Sequence, residues 1–481
     1  MDQQSLFAEF EVAGIWWVPG SEHKVKGKLH YSPTSVATLK MDGVLEASDR
    51  DTMLDGMIVV HGEDRSRKPW TLLKAFEQTF NPERFDGNHT TSTVIASYLV
   101  SGVHLLSLAD LKVDLVELSF PGLAKSLKQG SNITSDLSEI HDQITIKWQR
   151  PSEFALRLEG SKVVLSSHWY PTYSGSSKET SLRECPILRL KFDEATSYEL
   201  IQPLIMHLRN LLITLHGMPC PILDLSIENP LGPGNPDIKA FFGQSCSSNF
   251  PTDPLWINML VPLFKISPET FDSVITKWFE LSSETKFAVN WFCGLVLLPT
   301  PYNHIDFVNL VQSLESLHRS FNGDEFLTKQ EFKPVKNALR ERLAELNLSD
   351  SHKEYISTTI GTANRYPQKG RLVELFNYLP GELGSQVALS PESFAQLVVN
   401  TRNYATHLDP KAEKKSMTAE EVTFANFGLK VFFRMLLLNA IGIDSKTILE
   451  GLKHHADFQH FRSCVPWDKR TLGEKDECET H

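Results

Sequence analysis

The segment SPESFAQLVVNTRNYATHLDP, residues 390–410, decides the fold class of the C-terminal half of this chain. Ser390 suits a helix N-cap, and Pro391 suits the first helical position because its missing N–H would lack a partner there. Five residues follow helical spacing and predict a buried stripe, namely Phe394, Leu397, Val398, Thr401 and Ala405. Asp409-Pro410 is a stop signal. The segment therefore predicts an amphipathic helix from Ser390 to about Leu408.

Neighbouring segments also have helical patterns. Ser267-Pro268-Glu269 resembles a helix start, and Gly442 is well placed to end a long helix. Apolar periodicity predicts helices over residues 304–321, 333–346, 351–363 and 416–440. The C-terminal half is therefore expected to be all-α.

The N-terminal half has the patterns of β structure. Residues 24–31 alternate apolar and polar side chains with period two, which indicates a half-buried strand. Many similar short runs are separated by Gly, Pro and Ser turns, which favours a sandwich-like or barrel-like fold. One helix, Tyr198–Leu215, follows the strands and is ended by Gly217 and Pro219. The whole chain is expected to be an α+β multidomain protein.

A segment rich in proline and glycine, residues 228–254, separates the two halves and predicts a linker. The expected domains are 1–235, β-rich with a sensing or regulatory role, and 256–481, helical, joined by a linker at 236–255. A second domain is reasonable for a toxic enzyme, which must be held inactive. No catalytic set of residues stands out in 1–235.

Composition and charge limit the function classes. The 481 residues are 41% hydrophobic and 22% charged, which is ordinary for a globular protein of two or three domains. The formal net charge of −11 argues against a protein that coats nucleic acid, which needs a broad basic surface. A small basic pocket remains compatible with this sum.

Cysteine use and hydropathy predict a cytoplasmic protein. The six cysteines are scattered without a CxxC pair, which disfavours a disulfide framework or a zinc cluster. The polar start Met1-Asp2-Gln3-Gln4 predicts no secretory leader. The most apolar stretches, 204–215 and 431–443, are shorter than the ~20 residues that span a bilayer.

The end of the 390–410 helix gathers groups that can cleave RNA. Asn403 and His407 are four residues apart and share a face, and Arg402 is one step around the helix. A neutral His can take the proton from an RNA 2′-hydroxyl, and Arg can bind two phosphate oxygens at once. Near a helix C-terminus, Arg and His also interact favourably with the helix dipole, so the pair has a structural explanation too.

These residues resemble a known family. Arg402-Asn403-Tyr404-Ala405-Thr406-His407 is similar to the Arg-polar-x₃-His signature of HEPN ribonucleases, and the apolar helix over 424–443 follows it as in that family. Upstream, 314–319 is similar to an early helix of ApeA-type HEPN domains. Three N-terminal segments, 14–19, 25–29 and 39–43, resemble the first domain of ApeA-like proteins.

The resemblance implies an RNA-cleaving effector of bacterial anti-phage defence that acts by abortive infection. Its substrate would be RNA, with tRNA as one candidate, and its trigger a phage-derived protein or another infection signal. HEPN domains of this kind need no metal or other cofactor, and they work as homodimers or larger homo-oligomers. By the match, Arg402 and His407 would be catalytic and Asn403 auxiliary.

Three further residues have open roles. Glu315 is a tentative catalytic residue that could orient Arg402 or His407, whereas the alternative for Glu315, His318 and Arg319 is a set of local helix contacts. Tyr404 could stack on a base or pack in the core or a dimer interface. His454, His455 and His460 are better explained as a solvated helix end than as metal ligands, and residues 63–68 as a surface turn.

Two other function classes compete with the nuclease. The helical domain could be a non-catalytic HEPN-like module for dimerisation or binding, but degenerate modules tend to lose Arg402 or His407 equivalents, and both residues are present here. Alternatively, a β-sandwich with the pair Trp16-Trp17 could bind carbohydrate, although the expected lack of a secretory leader counts against it.

Overall fold

The structure is a computed structural model. It describes residues 5–35, 37–45, 57–82, 90–128, 132–137, 144–158, 162–175, 180–228, 238–244, 254–298, 303–408 and 413–463. The chain divides into two compact units. The first comprises Met1–Phe279 and Val296–Thr300, and the second comprises Glu280–Leu295 and Pro301–His481.

Six strands of the first unit form a closed barrel. The ring runs β1-β2-β3-β6-β5-β4, and antiparallel pairing of the first and fourth strands closes it. Alternate side chains point inward and form an apolar core that includes Trp16, which is fully buried. A Cβ atom on Gly62 would clash with the Trp16 ring, so only glycine fits opposite it. The strands are β1 Phe10–Trp17, β2 Val25–Tyr31, β3 Ala37–Met41, β4 Ile58–Asp64, β5 Pro69–Pro82 and β6 Thr90–Ser101.

The same sheet continues beyond the barrel. From β6 the order is β14, β13, β7, β12, β11 and β10, all antiparallel, while β8 and β9 form a separate hairpin. These strands are β7 Lys112–Ser119, β8 Ile133–Leu137, β9 Ile144–Trp148, β10 Ala155–Leu158, β11 Val163–Gly175, β12 Thr180–Ser197, β13 Asp224–Glu228 and β14 Ile238–Phe242. The prediction of a β-rich, barrel-like N-terminal domain is confirmed.

The described residues of the first unit include the helices α1 Leu123–Leu127, α2 Tyr198–His216 and α3 Pro268–Phe279. α2 ends at Gly217, whose φ of 75° is the left-handed conformation that favours glycine, as the sequence predicted. α3 is tied to α2 because the Trp278 indole N–H donates to the His207 carbonyl at 3.0 Å.

The boundaries differ from those expected from the sequence. Strand β14 lies inside the predicted linker 236–255, where Ile238 to Phe242 are all buried and pair with β6 and β13. α3 lies in the first unit although it was expected in the domain 256–481. The reason is that proline and glycine mark turns in a sheet as readily as they mark linkers. Of the rest of the predicted linker, residues 236–237 and 245–253 lie outside the described residues.

The second unit is helical. Its helices are α4 Ser283–Leu297, α5 Asn303–Asn322, α6 Lys329–Glu345, α7 Asp350–Thr362, α8 Gln368–Asn377, α9 Gly381–Gly384, α10 Pro391–His407, α11 Ala419–Ala440, α12 Ser445–Leu452 and α13 Ala456–Arg462. α11 is the core helix and packs against α5 and α13. α10 packs against α5 and α8. Within the described parts of the chain, no helix is long and apolar enough to cross a membrane.

Candidate active site

Helix α10 forms where the sequence predicted it. The Ser390 hydroxyl caps its start by accepting the Ser393 N–H at 3.3 Å. Phe394, Val398 and Thr401 are buried, as predicted, whereas Leu397 and Ala405 are only partly covered. The Thr401 hydroxyl accepts the Met417 N–H at 3.0 Å, which fixes the chain that leads into α11. These contacts hold the helix that carries the candidate residues.

The structure places Arg402 and His407 in different environments. Arg402 is half-buried, and its Nη1 donates to the Asn403 side-chain oxygen at 3.4 Å. His407 is the last residue of α10 and is exposed. Five helical residues correspond to about 140° of rotation and about 7.5 Å of rise. The two side chains therefore leave one helix in different directions.

Glu315 lies beside Arg402, on the neighbouring helix α5. Its side chain is only 4% exposed, and one of its carboxylate oxygens has no hydrogen-bond partner. Burial raises the pKa of Glu315, and the positive charge of Arg402 is the largest of the effects that oppose the rise. Glu315 and Arg402 thus interact electrostatically between α5 and α10, and the Asn403 side chain accepts a hydrogen bond from the guanidinium group.

A seam of charged side chains continues from Glu315 between α5 and α8. Arg371, on α8, is 3% exposed and also interacts electrostatically with Glu315. Its Nη2 pairs with Asp324, which also forms ion pairs with Arg319 Nε at 3.3 Å and Arg365 Nε at 3.4 Å. Three guanidinium groups therefore share one carboxylate next to the candidate site.

His318 belongs to the same seam. Its Nε2 lies 2.8 Å from a Glu374 oxygen of α8, and the Asn322 amide donates to that oxygen at 2.8 Å. Burial lowers the pKa of His318, and Glu374 opposes this effect. The His318 ring therefore lies within hydrogen-bonding distance of the Glu374 carboxylate on α8. Both Glu315 and His318 thus make contacts between helices, and the alternative of purely local helix contacts does not describe them.

The sequence alone did not identify the α8 side of this seam. Residues 368–377 were not predicted to be helical, so Arg371 and Glu374 had no expected partners. The signal that could have found them is their spacing with Gln368, at i, i+3 and i+6, which places three polar groups along one side of a helix.

The remaining candidates have simple explanations. The Tyr404 hydroxyl donates to Glu413 at 3.3 Å, so this ring has a local polar contact at the helix surface. Residues 63–68 form the turn between β4 and β5, where Asp64 accepts the Ser66 and Lys68 N–H groups. Of the Trp pair, Trp16 is core and Trp17 half-buried. His454 and His460 are exposed, as predicted for a solvated helix end, but His455 is buried, so that prediction is wrong for it. Among the described residues, no group could hold a metal ion.

Comparison with known proteins agrees with these features. The family model "ApeA N-terminal domain 1" matches residues 11–278, more than half of the chain. The model "Apea-like HEPN" matches residues 308–447, which include most of α5 and all of α8 and α10. The chain belongs to the ApeA-like family with a C-terminal HEPN domain. No curated protein and no solved structure matches it.

Membership in the ApeA-like family points to a nuclease effector of anti-phage defence. The two matches also agree with the division of the structure, because the first ends at residue 278 and the first unit's main segment ends at Phe279. The ApeA-like HEPN match contains Arg402, Asn403, His407 and Glu315, so all four candidate residues lie in the domain that implies a nuclease.

Proposed function

We propose that this protein is a metal-independent endoribonuclease, with Arg402 and His407 as its catalytic residues. One observation carries the proposal. Arg402 is held half-buried beside the buried Glu315, whereas His407 stands exposed at the end of the same helix. A fixed cation and an accessible base are what cleavage of RNA by its own 2′-hydroxyl requires.

The chemistry assigns one step to each residue. His407 accepts the proton of the 2′-hydroxyl, and the 2′-oxygen attacks the adjacent phosphorus. The bond from phosphorus to the 5′-oxygen breaks, and the 5′-oxygen takes up a proton and leaves as a hydroxyl. The product carries a 2′,3′-cyclic phosphate. Arg402 stabilises the charge on the phosphate oxygens, while Asn403 and Glu315 act as positioning residues for its guanidinium group.

We further propose that two copies of the chain form the working site. Arg402 and His407 diverge by about 140° around α10, so one copy presents them in different directions. A symmetric pair of α10 helices would bring the Arg402 of one copy toward the His407 of the other. The first unit would keep this cleft inactive until an infection signal, such as a phage protein, is present.

Cleavage by purified full-length protein tests the catalytic assignment. The probes are unfractionated tRNA and a labelled hairpin RNA, each with and without EDTA. We expect His407→Ala to lower the rate at least about 100-fold, because a general base contributes about 10²–10⁴-fold. Arg402→Ala should lower it by about 100-fold or more, because it removes the charge that stabilises the phosphate oxygens in the transition state. Activity with EDTA should be unchanged, and the products should end in 2′,3′-cyclic phosphate.

Matched controls separate catalysis from folding. Arg342→Ala and His454→Ala remove an exposed Arg and an exposed His elsewhere in the second unit, and both should cleave normally. Glu315→Gln should retain the fold but lower kcat more than it raises KM, because it loosens Arg402 and not the RNA. Normal cleavage by a folded His407→Ala protein would disprove the assignment.

Mixing the two inactive variants tests the paired site. If each working cleft takes Arg402 from one copy and His407 from the other, a mixture of Arg402→Ala and His407→Ala chains restores part of the activity. No recovery from a verified mixed dimer would contradict the proposal of a shared cleft. Regulation is tested in infected and uninfected cells that express the full chain, where RNA cleavage should follow infection only.

A further inference from the structure

Helix α6 carries four cations in one line. Lys329, Lys333, Lys336 and Arg340 are spaced i, i+4, i+7 and i+11. At 100° and 1.5 Å per residue, this spacing places them within an arc of about 60° over about 16.5 Å of helix. Three of the side chains are exposed and Lys336 is half-exposed. We call these four residues the basic stripe.

The basic stripe has no internal partner. Within the part of the chain that the structure describes, none of its four side chains forms an ion pair or a hydrogen bond. The acidic residues of α6 lie about 110–170° away from the middle of the stripe around the helix. Two of them are already engaged, since Glu331 caps the helix start and Glu345 pairs with Arg342 at 2.7 Å. Four free cations in a chain of net charge −11 require a specific explanation.

The hairpin of α6 and α7 stands clear of the core and has a fixed base. Leu343 is the one buried residue of α6, and α7 has none. At the base, Asn364 accepts the Leu327 N–H and donates to the Leu327 carbonyl, both at 2.8 Å, while the Phe326 N–H donates to the Asn364 carbonyl at 2.7 Å. The α6–α7 hairpin, which we call the arm, therefore presents the basic stripe to solvent and is fixed at its base by these hydrogen bonds.

The base of the arm joins the charged seam of the candidate site. Glu325 and Arg365 form a β-bridge directly below it. Arg365 and Arg371 both pair with Asp324, and Arg371 interacts with Glu315, which lies beside Arg402. The base of the hairpin that carries the stripe is therefore connected, through Asp324 and Arg371, to the helices that hold Glu315 and Arg402.

We propose that the basic stripe binds the phosphate backbone of the RNA substrate and guides it toward Arg402. The inference rests on the proposed ribonuclease function and adds a substrate-binding surface to it. Lysines on flexible stems suit a backbone contact, because they neutralise phosphates without reading sequence. A membrane surface fits less well, because α6 packs against its neighbour α7 and its exposed apolar residues, Val335 and Leu339, are too few to insert into a bilayer.

The test measures RNA binding without cleavage. The full chain carrying His407→Ala is titrated against a labelled hairpin RNA at several salt concentrations. The stripe variant adds Lys329→Gln, Lys333→Gln, Lys336→Gln and Arg340→Gln. The control instead adds Arg342→Gln, Lys446→Gln, Lys453→Gln and Arg462→Gln, which removes the same charge from exposed residues outside the stripe, one of them on another side of α6.

We expect the stripe variant to bind at least about 10-fold more weakly at moderate salt and to lower the slope of log affinity against log salt by about 3, as four lost phosphate contacts predict. The control should keep the slope, and a stripe with Arg in place of all three Lys should bind normally. Because the chain cannot cleave here, failure of this proposal is distinguishable from failure of the ribonuclease assignment.

Several outcomes would overturn the inference. An unchanged slope in a folded stripe variant would show that the stripe does not contact RNA. Stripe-dependent binding to vesicles of phosphatidylcholine and phosphatidylserine, or to polyglutamate, in place of RNA would assign it to a membrane or an acidic protein. Absence of RNA binding by the parent chain would equally remove the proposed ligand.

Discussion

Helices α6 and α11 begin in the same way and end up in opposite surroundings. Both open with a capping box, in which the Thr hydroxyl accepts the N–H of the Glu three residues on, at 3.3 Å in each case. The Glu carboxylate returns a contact to the Thr N–H, at 3.0 Å for Thr328 and 2.7 Å for Thr418. Fourteen of the 22 residues of α11 are buried, whereas one of the 17 residues of α6 is.

The comparison of α6 with α11 shows that a local capping sequence determines where a helix begins. Burial determines whether the helix forms part of the core or presents side chains to solvent. A capping box satisfies two orphan N–H groups in either environment. Packing against other helices makes α11 the core of the second unit. Helix α6 lacks such packing on most of its surface, so its charged side chains face solvent. Substitutions in the buried helix α11 should therefore change the free energy of unfolding more than matched substitutions in α6.

The buried ion pair of α11 should respond most strongly. Arg434 is 1% exposed and pairs with Asp457 of α13 at 2.6 Å. Asp457→Ala should lower the free energy of unfolding by about 3 kcal/mol or more, because it leaves a buried charge without a partner. Removal of the exposed Arg342–Glu345 pair of α6 by Glu345→Ala should cost less than about 0.5 kcal/mol. Urea denaturation of the full chain, followed by helix signal, measures both.

The Arg434–Asp457 ion pair should also make the free energy of unfolding depend on pH. Burial alone would raise the pKa of Asp457, but the charge of Arg434 and its neighbours outweighs burial and lowers the pKa below 3.8. The stabilisation is therefore complete above about pH 4 and is lost as the pH falls through the folded-state value. The difference between wild type and Asp457→Ala should shrink in acid. A difference that grows below pH 4 would contradict this assignment.

Truncating one leucine in each helix tests packing directly. Leu436 of α11 is 1% exposed and Leu339 of α6 is 45% exposed. Leu436→Ala should lower the free energy of unfolding by about 2–5 kcal/mol, because it removes buried contacts and leaves a cavity. Leu339→Ala should cost less than about 1 kcal/mol. Equal losses would show that α6 is covered in the working protein, as an interface with another molecule would cause.

The same Thr→Ala substitution can be made in the capping boxes of both helices, so that only the surroundings of the helix differ. Thr418→Ala and Thr328→Ala each remove one side-chain cap, worth about 1 kcal/mol. In α11 the loss should appear in global unfolding, because the helix cannot open without the core. In α6 it should appear as faster amide exchange within residues 329–345 alone, because a helix with one buried residue can open locally. Faster exchange throughout the second unit in Thr328→Ala would refute this separation.

Much of the fold follows from periodic patterns in the sequence. The period-two alternation of 24–31 predicted β2, and the spacing of 390–408 predicted α10 within a residue of its ends. Closure of the barrel was not predictable, because it depends on pairing between β1 and β4, which are more than 40 residues apart. The position of β14 was missed because its buried run is only five residues long and lies among turn residues.

The candidate site was predictable only in part. The sequence placed Arg402, Asn403 and His407 at one helix end, and the structure agrees with that placement. It suggested Glu315 through resemblance, but the proximity of Glu315 to Arg402 depends on the packing of α5 against α10. Arg371, Asp324 and Glu374 are brought in by α8, and no local pattern in the sequence specifies which helices become neighbours.

Substitutions at the exposed residue Leu408 have the smallest expected effect on the free energy of unfolding. They test whether a change at an exposed position leaves stability unaltered. It follows His407, is 72% exposed, and adopts the left-handed conformation with φ 51°. Only glycine takes this conformation without strain, so Leu408→Gly should raise the free energy of unfolding by up to about 1 kcal/mol. Leu408→Ala keeps the strain and should change little. Cleavage should persist in both variants, because His407 remains at the helix end. Leu408→Ala could instead lower stability, and by more at high protein concentration. That result would show that a second copy of the chain covers the Leu408 side chain. The strained backbone at Leu408 would then help to form the cleft that two copies share.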